Sequence, residues 1–202
     1  MSKILIINGN PKSSSLCQAL AESYQQGVTD REIETTMIHL AKMDFDLDLK
    51  IDEKKKQTME NCLTDFQTAL LTASHIMIIA PVWWGTIPAK LKGLLDRTFL
   101  PGFAFAYQEN TAMPTQLLGG RTARIIVTMD TPIWYYRWFF GDPIIKTLQK
   151  TILEFCGIRV KAISRLGPVI TSNDAIRKQW VAQVRNDGIN DAIYCARKNK
   201  KS

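Results

Sequence analysis

The chain has 202 residues, 46% of them hydrophobic, and a formal net charge of +7. That is core enough for one α/β domain, expected to span residues 1–202, and nothing approaches the ~20 apolar residues of a membrane-crossing helix. Four scattered cysteines without a C-x-x-C pair, and only His39 and His75, argue against a metal site and suit reduced thiols in a cytoplasm. The opening MSKILIINGNPK enters a short apolar strand directly, so neither a signal peptide nor membrane insertion is expected. The basic runs, Lys54-Lys55-Lys56 and Arg197-Lys198-Asn199-Lys200-Lys201, lie in no recognition motif. Nucleic-acid binding is therefore not expected; a positive surface draws in small anionic ligands instead.

Lys3 to Asn8 reads as a first buried strand, followed by the polar turn Asn8 to Ser15. Leu16, Leu20 and Tyr24 then give a helical stripe. The serines suit a helix cap, and the free amides beyond them suit a phosphate; both readings stand at this point. Only Gly9 is present in the turn, so it is neither a dinucleotide fingerprint nor a Walker loop. Ile33 to Leu40 supplies a second strand, with a helical reading of Thr36-Met37-Ile38 as the alternative. The segment Ala41 to Lys56 is irregular; its Asp44, Asp46 and Asp48 lack the glycine and closing glutamate of a calcium loop. Met59, Leu63, Phe66 and Leu70 mark the next helix.

His75 to Ala80 is apolar on both faces, the pattern of a central parallel strand, and Pro81 ends it. Val82-Trp83-Trp84-Gly85-Thr86 follows as a loop, and Pro88 opens a helix carrying Leu91, Leu94 and Leu95. Thr122 to Met129 is a fourth strand, running into Asp130-Thr131-Pro132 and the aromatic block Trp134 to Phe140. Core packing and a dimer contact would both suit that block, but ligand lining is preferred because it follows a strand's carboxyl end. Asp142-Pro143 is read as N-cap and first turn of a helix bearing Leu148, Ile152 and Phe155, ended by Gly157. Arg159 to Leu166 is a fifth strand. Ser172-Asn173-Asp174 opens a final helix, with Ile176, Trp180 and Val184 on one face and a break or kink expected at Gly188. Five strands alternating with helices imply a flavodoxin-like three-layer sandwich, its five-stranded parallel sheet in the order 2-1-3-4-5.

No nucleophile–base pair is visible: there is no G-x-S-x-G elbow, and both histidines sit at strands, where packing is their expected role. A phosphate-binding turn beside aromatic-rich strand ends suits hydride chemistry, in which a cofactor carries the reaction.

The segment PVWWGTIPAKLKGLLDRTFLPGFAF resembles the signature of the flavodoxin-like NAD(P)H:quinone oxidoreductase family, the DT-diaphorase-like enzymes. ILIINGNPKSSSLCQAL is similar to that family's first loop and TILEFCGIRV to a later helix, so the resemblance runs from Lys3 to about Leu166. It implies that Asn10, Ser13, Ser15, Leu16 and Cys17 hold flavin phosphates, Cys17 through its backbone because the family has asparagine there. Pro81, Val82, Trp83, Trp84 and Gly85 would run along the ring, their amides toward its polar edge. Thr128, Met129, Asp130 and Thr131 would form the third side. Asp130 departs from the family's glycine and would disfavour extra electron density near the ring. Tyr136 matches the catalytic tyrosine, without the histidine that accompanies it. Phe105, Tyr107 and Phe155 match acceptor-lining positions, which in the family come partly from a second subunit, so a homodimer is implied. FAD is the implied cofactor, FMN the alternative, with NAD(P)H as co-substrate and a quinone-like acceptor. Azo or nitroaromatic reduction, FMN reduction and a regulatory subunit of a potassium efflux system are the alternatives.

Overall fold

The computed structural model describes residues 3–50, 57–108 and 114–199. The Lys54–Lys56 run and the last two lysines of the basic tail lie outside them. Strands β1 (Lys3–Asn8), β2 (Glu34–His39), β3 (His75–Pro81), β6 (Thr122–Thr128) and β7 (Arg159–Leu166) form one parallel sheet. Its order is β2-β1-β3-β6-β7. A two-residue antiparallel pair, β4 (Phe105–Ala106) with β5 (Thr115–Gln116), stands apart, so the sheet order is the expected 2-1-3-4-5.

The continuous apolar runs are explained by burial on both faces. Leu5 and Ile7 of β1, Ile76 and Ile78 of β3, and Ile125 and Val127 of β6 enter one core. The intervening Ile4, Ile6, Met77, Ile79 and Ile126 enter the other, as a strand's two-residue period requires. The first core is covered by α2 (Asn61–Thr72) through Leu63, Phe66 and Leu70, and by α3 (Ala89–Thr98) through Leu91, Leu94 and Leu95. Pro88 sits one place ahead of its expected position, as the residue flanking α3 rather than within its first turn. The second core is covered by α1 (Leu16–Thr29) and α6 (Asp174–Asn199). Among the described residues no helix is long and apolar enough to cross a membrane.

Two expectations at the helices are corrected. Gly188 neither breaks nor kinks α6, which runs unbroken from Asp174 to Asn199. It is a point of helix contact: a Cβ there would lie 2.3 Å from Tyr24 O, and one at Gly27 would lie 2.1 Å from Arg185 O. Asp142 does precede Pro143, the first residue of α5 (Pro143–Ile145), but in a left-handed conformation (φ 59°, ψ 48°) and without a side-chain cap bond. Its carboxylate is drawn away to Arg165, whose Nε donates to Oδ2 at 3.1 Å. From Lys146 to Glu154 the chain continues as a π-helix rather than the expected α-helix.

The second core also buries charge. Arg124 of β6 donates to Asp191 (Nη2–Oδ1 3.0 Å) and faces Asp187 (3.1 Å), both on α6. Tyr24 Oη donates to Asp191 Oδ2 at 2.7 Å, and His75 Nε2 lies 3.3 Å from the same oxygen without the alignment of a hydrogen bond. His75 is fully buried, and its Nδ1 is 2.8 Å from Thr122 Oγ1, a packing role as expected. Burial alone would push the Asp191 carboxyl up, but contacts with His75 and Arg124 outweigh it and hold it well below the usual carboxylate range. Asp187 works in the opposite sense: burial pushes its carboxyl up, against the pull of Arg124. Because the Asp191 carboxyl is depressed in the folded state, its stabilisation is present above about pH 4 and is lost as pH falls further. Asp191→Asn is expected to cost about 3 kcal/mol at pH 7, by leaving Arg124 short of a partner, and to flatten the acid side of the stability curve in urea titrations.

Candidate functional site

Parallel strands end at one edge of a sheet, and here the loops after β1, β3, β6 and β7 meet there. The first loop is curled by its asparagines: Asn8 Oδ1 accepts from Asn10 N (3.2 Å), and Asn10 Oδ1 from Lys12 N (3.0 Å). Ser15 caps α1, its Oγ accepting from Gln18 N at 3.3 Å while its carbonyl accepts from Gln18 and Ala19. The amides of Leu16 and Cys17, at the helix's positive end, have no intrahelical partner. Both residues line a cleft of about 270 Å³ with Asn10, Lys12, Ser14 and Ser15. Its other wall is Pro81, Val82, Trp83, Thr128, Met129, Asp130 and Val169. Ser13 does not line it; Ser14 does. The Cys17 side chain is buried, with Sγ 3.3 Å from Thr128 Oγ1. Burial pushes its thiol up.

A second cleft of about 570 Å³ adjoins the first, sharing Val82, Met129 and Asp130. Trp84, Gly85, Thr86, Thr131, Tyr136, Phe140 and Pro143 complete it. The loop between Trp83 and Thr86 is a tight turn, with Trp83 N donating to Thr86 O (2.9 Å) and Thr86 N returning to Trp83 O (3.0 Å). Its central residues, Trp84 (φ 48°) and Gly85 (φ 79°), both have positive φ, the pattern of a type I′ turn. Val82 N donates to Thr128 O at 2.7 Å. The expectation that all these amides face a ligand is therefore corrected: those of Val82 and Trp83 are spent inside the protein, and those of Trp84 and Gly85 remain. The Trp84 indole is fully exposed.

Tyr136, expected to act catalytically, is 1% exposed and its hydroxyl is fully engaged. It donates to Gly85 O at 2.8 Å and accepts from Ile144 N at 3.1 Å. Burial pushes its phenol up, outweighing the Ile144 bond, so the geometry supports a residue that positions Gly85 rather than one that releases a proton. Asp130 is exposed, and its Oδ1 accepts from Ile170 N at 2.9 Å. That bond, with Val169 N donating to Met129 O at 2.9 Å, holds the loop after β7 against the cleft. Phe105 meets both Tyr107 and Phe155 edge to face, with centroids 5.4 Å and 5.2 Å apart respectively. Phe105 and Phe155 line a different cleft, with Leu95 and Phe99, that shares no residue with the two above. Of the aromatic block, Phe140 and Tyr136 line the site, whereas Trp134, Trp138 and Phe139 are exposed outside it. Lys12, Ser14 and Val169 are lining residues the sequence reading omits; Lys12 and Ser14 sit within the turn it singled out, while Val169 carries no local signal.

The matched region decides the family: the flavodoxin-like fold family aligns with residues 2–187. The chain belongs to the flavodoxin-like fold family. An NAD(P)H oxidoreductase of Haemophilus influenzae is 26% identical, over 88% of this chain and 89% of its own length. An FMN-dependent NADH:quinone oxidoreductase of Clostridium perfringens is also 26% identical, over 98% of this chain and all of its own. Among solved structures, Smu.1420 of Streptococcus mutans superposes with a TM-score of 0.81 at 28% identity, over 93% of this chain and 99% of that one. Within this fold the strand-end loops are the customary ligand site, and both clefts lie there.

Positive φ at Trp84 strains a residue whose side chain packs against nothing. Trp84→Gly is expected to raise stability by about 1 kcal/mol in thermal unfolding, while weakening whatever flat ligand the second cleft holds. Asp130→Asn keeps an acceptor for Ile170 and is expected to unfold like the parent. Asp130→Ala is expected to cost about 1 kcal/mol and to speed amide exchange at Val169 and Ile170.

Proposed function

We propose that this protein is an FMN-dependent NAD(P)H:quinone oxidoreductase. The observation that carries this is the continuous groove made by the two clefts, with free helix amides at one end and an apolar, aromatic wall at the other. The donor set fits a flavin mononucleotide. Leu16 and Cys17 amides with Ser14 and Ser15 suit a phosphate, while Pro81–Gly85 and Thr128–Thr131 suit the two flanks of a tricyclic ring. Ser13, outside the lining, is proposed as a contact only through movement of its loop. The resemblance favours FAD; the FMN-dependent relatives matched over nearly the whole chain support FMN instead, and FMN replaces it.

A flavin held by these residues would supply two-electron chemistry, hydride from NAD(P)H being accepted at N5 and delivered to a quinone, with the two substrates sharing one slot in turn. The protein's part is orientation. The Trp83–Thr86 turn, held by Tyr136 at Gly85, presents the Trp84 and Gly85 amides to the ring's polar edge. Met129 and Val82 keep water from the shared middle of the groove. Asp130 places negative charge beside the ring and disfavours the reduced, electron-rich form. We propose a homodimer in which Phe105, Tyr107 and Phe155 of one copy complete the acceptor slot of the other, since none of the three lines its own chain's groove. The exposed Trp134, Trp138 and Phe139 support such an interface. The one five-stranded sheet and the family match over 2–187 support one working domain.

Purified protein is expected to be yellow, to release FMN on denaturation as read by mass, and to oxidise NADH or NADPH when a benzoquinone is added. Colourless protein that takes up neither FMN nor FAD would end this reading.

A further inference from the structure

Asn8 and His39 form the last rung between β1 and β2. Their side chains meet there, with Asn8 Nδ2 3.3 Å from His39 Nδ1. Asn8 is buried, whereas His39 is only half-buried, unlike the fully buried His75. The direction of each bond follows from what donors and acceptors are able to do. A backbone N–H only donates, so the Asn8 atom that meets Asn10 N at 3.2 Å is the carbonyl oxygen. The atom turned to His39 is therefore the amide nitrogen, and an NH2 group also only donates. His39 Nδ1 is then the acceptor: it carries no proton, and the ring's hydrogen sits on Nε2. From His39 the chain of bonds runs through Asn8 to Asn10, whose Oδ1 accepts from Lys12 N at 3.0 Å. Asn10 and Lys12 line the first cleft, so the curl of that wall begins at a histidine on the neighbouring strand.

A proton on Nδ1 reverses this arrangement. The imidazolium would face the Asn8 NH2 donor to donor. Turning the Asn8 amide over would satisfy His39 but set the NH2 against Asn10 N. Either way one bond of the chain is lost, at the base of the turn. The charged groups acting on the ring are Lys42, three positions on, and Glu22 of α1. Burial and the Lys42 ammonium hold the imidazole below its ordinary value, against the pull of Glu22, so the fold favours the bare ring. We propose that His39 is a positioning residue: its neutral ring holds the turn after β1 in the form that binds flavin, and protonation at Nδ1 releases that turn. This rests on the flavin reading above and adds to it an affinity that weakens as pH falls below about 6.5.

The state of the ring is tested on flavin-free protein. Nitrogen-15 NMR of His39 at pH 8 is expected to show a bare Nδ1 and a protonated Nε2; a protonated Nδ1 would overturn the inference. FMN affinity is then read from quenching of flavin fluorescence at pH 7.5 and at pH 5.5. The FMN phosphate itself titrates near pH 6, so the quantity that counts is the parent against its variants. His39→Leu, which has no acceptor, is expected to raise the dissociation constant about fivefold at pH 7.5. His39→Asn, whose Oδ1 stands where Nδ1 stood, is expected to restore it. Between pH 7.5 and 5.5 the parent is expected to lose about fivefold more affinity than His39→Asn, which accepts at either pH. Parallel losses in those two proteins would overturn the inference, as would His39→Leu binding like the parent at pH 7.5. The ring spectrum does not depend on flavin, so parent protein that binds no FMN at either pH refutes the flavin reading separately.

Discussion

Two backbone hydrogen bonds just past the strand ends hold the site together. Gly9 N donates to Ile79 O at 2.8 Å, and Val82 N to Thr128 O at 2.7 Å. Each extends a parallel ladder by one rung beyond the last paired residues, so the loops after β1, β3 and β6 leave the sheet side by side. The alternate burial of β1, β3 and β6 in two cores makes slippage of that register costly, because a one-residue shift would exchange every side chain between cores. The groove's geometry is therefore inherited from the sheet, and its walls are only as movable as the turns that follow.

Those turns divide the work. The β1 loop is stiffened by asparagine side chains and supplies polarity. The β3 loop is stiffened by its own turn and by Tyr136, and supplies apolar surface. The β7 loop closes the far side through Met129 and Asp130. Asp130 thus serves the architecture at the position where the resemblance implies glycine.

The sheet was legible because hydrophobic periodicity reports burial directly: KILIIN and HIMIIAP have no polar face to misread. The groove's lining was legible in outline for the same reason, since ligands gather at strand ends. What stayed hidden depends on who bonds to whom across the fold. No local pattern announces that Val82 and Trp83 have spent their amides, or that Asp142 abandons its cap for Arg165, twenty-three positions on. Gly188 reads as a helix breaker in isolation, and only the proximity of Tyr24 shows why glycine stands there. The π-helix was missed because Leu148, Ile152 and Phe155 satisfy an α-helical spacing equally well.

The paired glycines of α1 and α6 bear on how this chain can vary in length. Tyr24 meets Gly188 and Gly27 meets Arg185, a reciprocal arrangement in which each helix's notch receives the other's backbone. Three residues farther along α6, Asp191 meets Tyr24 and Arg124. A single residue inserted between Asp174 and Gly188 would turn the rest of α6 by about 100°. Notch and carboxylate would leave their partners together. The loop just before α6 is tied as well, Ile170 to Asp130 and Ser172 to Val169, so a length change on either side of the helix start breaks a bonded contact.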